Sequence, residues 1–207
     1  MKLFFKFIFT LATFSSASIL AETKTQKYLI EVGKINLGEM VWQTDIKNDT
    51  YSIKINLKNK GFLTSIYKFS GSYEVLGSRI NNNLFPSKYI QRWKTNKKRR
   101  NIEISFKENK VDKITQDPFE QEHQRTNYKE KEGLKDPLSS LAEIILNKKQ
   151  SQTIDGRRLY LMKTEPIKKN NFIKINITEY KNIWSDHKRL DLEYIELHSD
   201  AASTDFE

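Results

Sequence analysis

Tyr51, Ile53, Ile55 and Leu57 alternate with Ser52, Lys54, Asn56 and Lys58, the period-two pattern of a strand with one buried and one wet face. Just before it, Met40, Trp42, Thr44 and Ile46 alternate with Val41, Gln43 and Asp45, and Asn48-Asp49 between the runs predicts a hairpin turn. The same period recurs at Tyr28/Ile30/Val32, Ile102/Ile104/Phe106 and Ile173/Ile175/Ile177. Turn-forming residues separate these runs: Gly33, Asn59-Lys60-Gly61, Gly77, Asn81-Asn82-Asn83, Asn109 and Asn170-Asn171. Short strands punctuated in this way predict a mainly β, antiparallel protein of sandwich or barrel type. Asp155-Gly156 adds a type I′ hairpin expectation, because both central residues of such a turn need positive φ. Residues 116–133 are polar and aperiodic, which predicts a long surface loop.

One segment changes period. Asp136 to Lys149 predicts a helix: Asp136 as N-cap, Pro137 in the first turn, and Leu138, Leu141, Ala142 and Ile145 on one apolar face. Lys148 and Lys149 fall where the negative end of the helix dipole favours cations.

The amino terminus follows a different rule. Met1-Lys2 and Lys6 precede an apolar run, small residues gather at Ser15, Ser16, Ala17 and Ser18, and Ala21 is followed by charged Glu22. This is the grammar of a secretory signal peptide over residues 1–21, cleaved between Ala21 and Glu22 or, failing that, after Ala17. The uncharged stretch from Phe7 to Ala21 is shorter than the roughly 20 residues a membrane span needs. Residues 22–207 then read as a single β-rich domain, large enough to bury about 70% of its unfolded surface. Its expected location is the periplasm of a Gram-negative envelope, with no membrane-spanning segment once the signal is removed. The chain has no cysteine, so its stability must come from its core and not from disulfides.

The formal charge of +10, to which Lys2 and Lys6 contribute two, favours anionic partners. Export excludes nucleic acid and leaves lipid, lipopolysaccharide or lipoprotein, or an envelope protein partner. The abundance of Lys, Asn and Ile throughout the chain is the plainer source of that charge. Enzymatic signatures are missing. His123, His187 and His198 show no metal-ligand spacing, and neither a nucleophile elbow nor a phosphate-binding glycine loop is present. The sequence therefore predicts no catalytic residues, no metal and no cofactor.

Three features remain as candidate binding chemistry. Lys97-Lys98-Arg99-Arg100 forms a basic cluster between two strands, with the geometry of a solvated tip or a head-group contact. Trp42, Phe62, Tyr67 and Trp93, with Leu138 on the covering helix, are the positions that would line an apolar hollow; the same residues would equally form ordinary core. Arg157 and Arg158, beside the Asp155-Gly156 turn, are candidate ligand contacts.

The run Asp136-Pro137-Leu138-Ser139-Ser140-Leu141, followed by Ile154-Asp155-Gly156-Arg157-Arg158-Leu159-Tyr160, resembles a family of exported proteobacterial proteins of unknown function. Gly38, Gly61-Phe62 and Leu84-Phe85-Pro86-Ser87-Lys88-Tyr89 fit the same pattern, so the resemblance spans Tyr28 to Met162. It implies a curved antiparallel sheet, a half-barrel or open barrel similar to lipoprotein-carrier folds, with the helix packed on it. Two departures stand out: the C-terminal cysteines of related sequences are missing, and the chain closes on a polar stretch from Ser199 to Glu207 where they close on an apolar strand. Two functions follow as expectations: a periplasmic binding or carrier protein holding an apolar or amphiphilic ligand in the concave sheet, or a non-enzymatic envelope scaffold or assembly factor.

Overall fold

The computed structural model describes residues 23–32, 35–47, 49–60, 64, 68–146, 148–164, 172–184 and 194–198. Seven strands follow one another as neighbours in an antiparallel sheet: β1 (Thr23–Val32), β2 (Ile35–Ile46), β3 (Thr50–Asn59), β4 (Phe69–Ile80), β5 (Asn83–Thr95), β6 (Arg99–Lys107) and β7 (Lys110–Asp117). The sheet is curved and does not close into a barrel. Helix α1 (Pro137–Ile145) comes next, then a four-stranded sheet in the order β11-β10-β9-β8, built from β8 (Gln150–Ile154), β9 (Arg158–Thr164), β10 (Phe172–Asn182) and β11 (Tyr194–His198). The expected signal peptide over residues 1–21, the expected cleavage site at Ala21–Glu22, Phe62, Tyr67 and the polar tail lie outside the described residues.

Register turns the period-two pattern into rows across the large sheet. Thr44, Ile53, Val75, Tyr89, Ile104 and Ile114 are successive cross-strand partners. So are Trp42, Ile55, Tyr73, Gln91, Ile102 and Gln116, and below them Met40, Leu57, Gly71, Trp93 and Arg100. A bulge at Ser87 sits between the pairs Leu76–Lys88 and Gly77–Pro86. It shifts the parity of β5, so that Leu84 and Pro86 as well as Tyr89 are buried. Proline is tolerated there because the ladder is already interrupted.

These rows face α1 and the small sheet. Val75, Ile104, Ile154, Ile175 and Ile183 are wholly buried in one apolar cluster that joins both sheets and the helix. The β8–β9 turn inserts into it: a Cβ on Gly156 would stand 2.4 Å from Ile102 Cγ2.

Five expectations are corrected by this arrangement. The helix ends at Ile145 with Leu146 as C-cap, so Lys148 and Lys149 lie beyond it, and Lys148 pairs instead with Glu143 at 2.8 Å. Its burial is also broader than one apolar stripe: Ser139, Ser140, Glu143 and Ile144 are buried with Leu138 and Leu141, while Ala142 and Ile145 are half-buried. A helix wedged between β4–β5 on one side and β8–β9 on the other has two inward faces. In the Asp155–Arg158 turn only Gly156 has positive φ (+86°), at the first central position, which is the II′ pattern and not I′. The I′ signature, positive φ at both central residues, occurs instead at Glu108–Asn109 between β6 and β7. Gln116, read as the start of a loop, is a buried β7 residue. The last apolar strand is present after all: β11 pairs with β10 from Phe172–His198 to Asn176–Tyr194.

Candidate functional site

Two polar clusters lie inside this otherwise apolar interface. The first surrounds the start of α1. Asp136 is the N-cap: its Oδ1 accepts the Leu138 and Ser139 amides at 2.9 and 3.1 Å. Its Oδ2 accepts the Ser139 hydroxyl, and because that hydroxyl has a single proton, Tyr51 is the donor in the 2.6 Å Tyr51–Ser139 bond. Tyr51 reaches the helix across Gly77, where a Cβ would stand 2.6 Å from its ring. Burial raises the Asp136 carboxyl to about 6, against the lowering effect of these hydrogen bonds. Burial pushes the Tyr51 and Tyr89 phenols upward as well, so both donate as neutral groups.

One turn further along, Glu143 is 1% exposed and holds three partners with a single oxygen: Lys135 at 3.0 Å, Lys148 at 2.8 Å and the Leu84 amide at 2.9 Å. Lys135 also donates to the Leu84 carbonyl and lies 5.0 Å from the Phe85 ring centroid. Burial lowers the Lys135 pKa while Glu143 supports its charge. Pairing of β5 with β6 starts only at Lys88, so Glu143 and Lys135 take the place of a missing neighbour strand at Leu84. On the other side of α1, the Ser140 hydroxyl accepts from Ser151 at 3.1 Å and Thr153 at 2.8 Å. This polar network clasps helix to sheets, and Ser139 and Asp136, each 0% exposed, are closed to substrate.

The second cluster lies at the other side of the core. Arg100 donates to Gln116 Oε1 at 2.9 Å, and both Arg100 and Arg157 approach Glu120. Of the four-residue basic run, Lys97, Lys98 and Arg99 are exposed around the β5–β6 tip and Arg100 alone turns inward.

The aromatic candidates separate. Trp42 is 7% exposed, donating to Thr44 at 2.6 Å, and Leu138 is 5% exposed; both belong to the packed core. Trp93 is half-buried, in a row with Met40 and Leu57. Arg158 folds onto Asp155 at 2.9 Å and lies over the Tyr160 and Tyr180 rings, whereas Arg157 joins the second cluster. Lys135, Glu143, Gln116 and Glu120 were not among the sequence candidates. For Glu143 a signal existed: Asp136, Ser139, Ser140 and Glu143 form a polar stripe at helical spacing.

Among the described residues a shallow groove of about 480 Å³ lies at the β2–β3 and β4–β5 hairpin ends, lined by Ile46, Lys47, Asp49, Arg79, Ile80 and Asn81. Among the described residues no helix is long and apolar enough to cross a membrane, and no three metal-ligating side chains gather.

Fold and clusters together define a curved open antiparallel sheet whose hollow holds a helix and a β-hairpin. A family model described as "Protein of unknown function (DUF3108)" matches residues 27–193, and the chain belongs to that family. The chain matches no curated protein and no solved structure.

Proposed function

We propose that this protein is exported to the periplasm and acts there as a non-enzymatic scaffold or assembly factor, meeting envelope partners through its surface. The observation supporting this reading is that α1 and the β8–β9 hairpin occupy the hollow of the large sheet. Tyr51, Ile53, Val75 and Tyr89 are each no more than 3% exposed beneath them. A carrier needs an apolar cavity that a ligand can enter, whereas a scaffold needs a filled core and an accessible surface. The signal-like amino terminus supports the location.

The second reading, a carrier for an amphiphilic ligand, draws on the half-buried row Met40, Leu57 and Trp93, at the end of the hollow away from the Tyr51–Ser139 contact. Titration with a fluorescent fatty-acid analogue, together with native mass spectrometry of protein released from the periplasm, separates the two. The scaffold reading expects no saturable probe binding and no co-purified lipid. Saturable binding that a charged residue at Trp93 abolishes, with far-UV circular dichroism unchanged, would replace it by the carrier.

A further inference from the structure

The cluster around Glu120 has more donors than acceptors. Arg100 Nη1 and Arg157 Nη2 stand 3.9 and 3.7 Å from the same Glu120 oxygen, Oε2. Charge-assisted N–H···O⁻ bonds are ordinarily about 2.7–2.9 Å long, so neither guanidinium has closed on that carboxylate. The other Glu120 oxygen accepts the Glu122 amide at 3.4 Å. Two guanidiniums against one carboxylate leave one positive charge uncompensated within the cluster. Gln116 is 7% exposed, its Oε1 is taken by Arg100, and its Nε2 has no partner. Arg157 Nε is buried and also without one.

Buried donors are normally paired, and two unpaired buried N–H donors, linked to one another through Arg100 and Glu120, call for an acceptor. The fold places their backbones around one residue: Gln116 and Ile102 are cross-strand partners, and Gly156, the residue before Arg157, packs on Ile102. Arg100 and Arg157 retain 20% and 23% side-chain exposure, so a solute can approach their guanidiniums, while Gln116 Nε2 and Arg157 Nε are themselves buried and are reached only when neighbouring atoms move aside.

We propose that Arg100, Gln116 and Arg157 form a binding site for a phosphate-class oxyanion, free or carried on a lipid head group, and that Glu120 is the internal anion it displaces. Arg157 Nε and Gln116 Nε2 donate to the bound oxygens and Arg100 supplies the second charge. The inference is independent of the scaffold reading, since a partner-binding protein and a carrier can each hold such an anion.

The test is a calorimetric and thermal-melt titration of the exported protein with inorganic phosphate, ionic strength held constant with chloride. Saturable binding with a rise in Tm is expected. Gln116→Leu and Arg157→Lys should each weaken it about tenfold or more, since each removes one donor hydrogen-bonded to a charged oxygen. Glu120→Gln, a partly exposed loop position, should tighten it by removing the competitor, and this arm stands if Gln116→Leu does not fold. The triple variant Lys97→Gln, Lys98→Gln, Arg99→Gln should bind as the parent does. Vesicles of phosphatidylcholine with and without phosphatidylglycerol distinguish the sources: competition by the anionic vesicles alone assigns a head group, and its absence assigns a free solute. No saturable phosphate binding, or binding lost in the triple variant and kept in Arg157→Lys, overturns the site.

Discussion

The Glu143 carboxylate accepts the backbone amide of Leu84 at 2.9 Å although 59 positions separate them. With Lys135 donating to the Leu84 carbonyl, both free backbone groups of that residue are held by side chains from α1 and its lead-in. The helix is thus hydrogen-bonded into a gap in the sheet, and not merely laid against it.

Glu143→Ala should leave the ammonium of Lys135, a residue 7% exposed, without its carboxylate, and should destabilise by about 3–5 kcal/mol. Glu143→Gln keeps an acceptor for Leu84 but not the charge, and should cost less. Urea melts of the two variants give the comparison. Equal losses would show that the whole cost lies in the lost charge and that the acceptor for Leu84 contributes nothing; a neutral Glu143→Gln would show the reverse.

Asp136 predicts a pH dependence. Its folded-state pKa of about 6, against an ordinary 3.8, means that the folded chain keeps a proton the unfolded chain releases. The stability this group contributes is full below the unfolded value and is lost as pH rises through the folded one. Asp136→Asn cannot ionise and retains a good N-cap. Relative to that variant, the parent should therefore lose on the order of 2–3 kcal/mol across the window. Parallel stability curves from denaturant melts over this range would refute the shift.

Leu141, 8% exposed on α1, belongs to the cluster that joins both sheets. Leu141→Ala should cost about 2–5 kcal/mol through lost burial and the cavity it leaves. A neutral result in denaturant melts would mean that the helix does not pack as described.

Two glycines with positive φ separate backbone strain from packing. Gly133 has φ +72° and open space at its Cβ position, whereas Gly156 has φ +86° and Ile102 Cγ2 at 2.4 Å. Gly133→Ala should cost about 1–2 kcal/mol for the left-handed backbone alone. Gly156→Ala should add a packing penalty of about 1–3 kcal/mol, because the turn would have to back out of the core. Thermal melts of both variants settle whether the β8–β9 turn is seated on β6.

Much of the architecture was legible from the chain. Alternation at Met40–Ile46 and Tyr51–Leu57 marked β2 and β3, because a strand with one wet face must alternate. Asp136-Pro137 marked the start of α1, because capping is local chemistry between a side chain and the next two amides. The family resemblance read from 28–162 lies within the matched residues 27–193. Other features required the folded chain. Nothing local distinguishes Arg100 from Lys97, Lys98 and Arg99; only its place on the inward row opposite Trp93 turns it toward Gln116. Burial of Glu143 depended on a gap beside Leu84, a property of two strands of unequal reach. Periodicity fixes which residues share a face, since it is set by backbone geometry a few residues at a time. What covers that face, and which polar groups meet there, depends on contacts between distant segments that only the assembled sheets, helix and hairpin create.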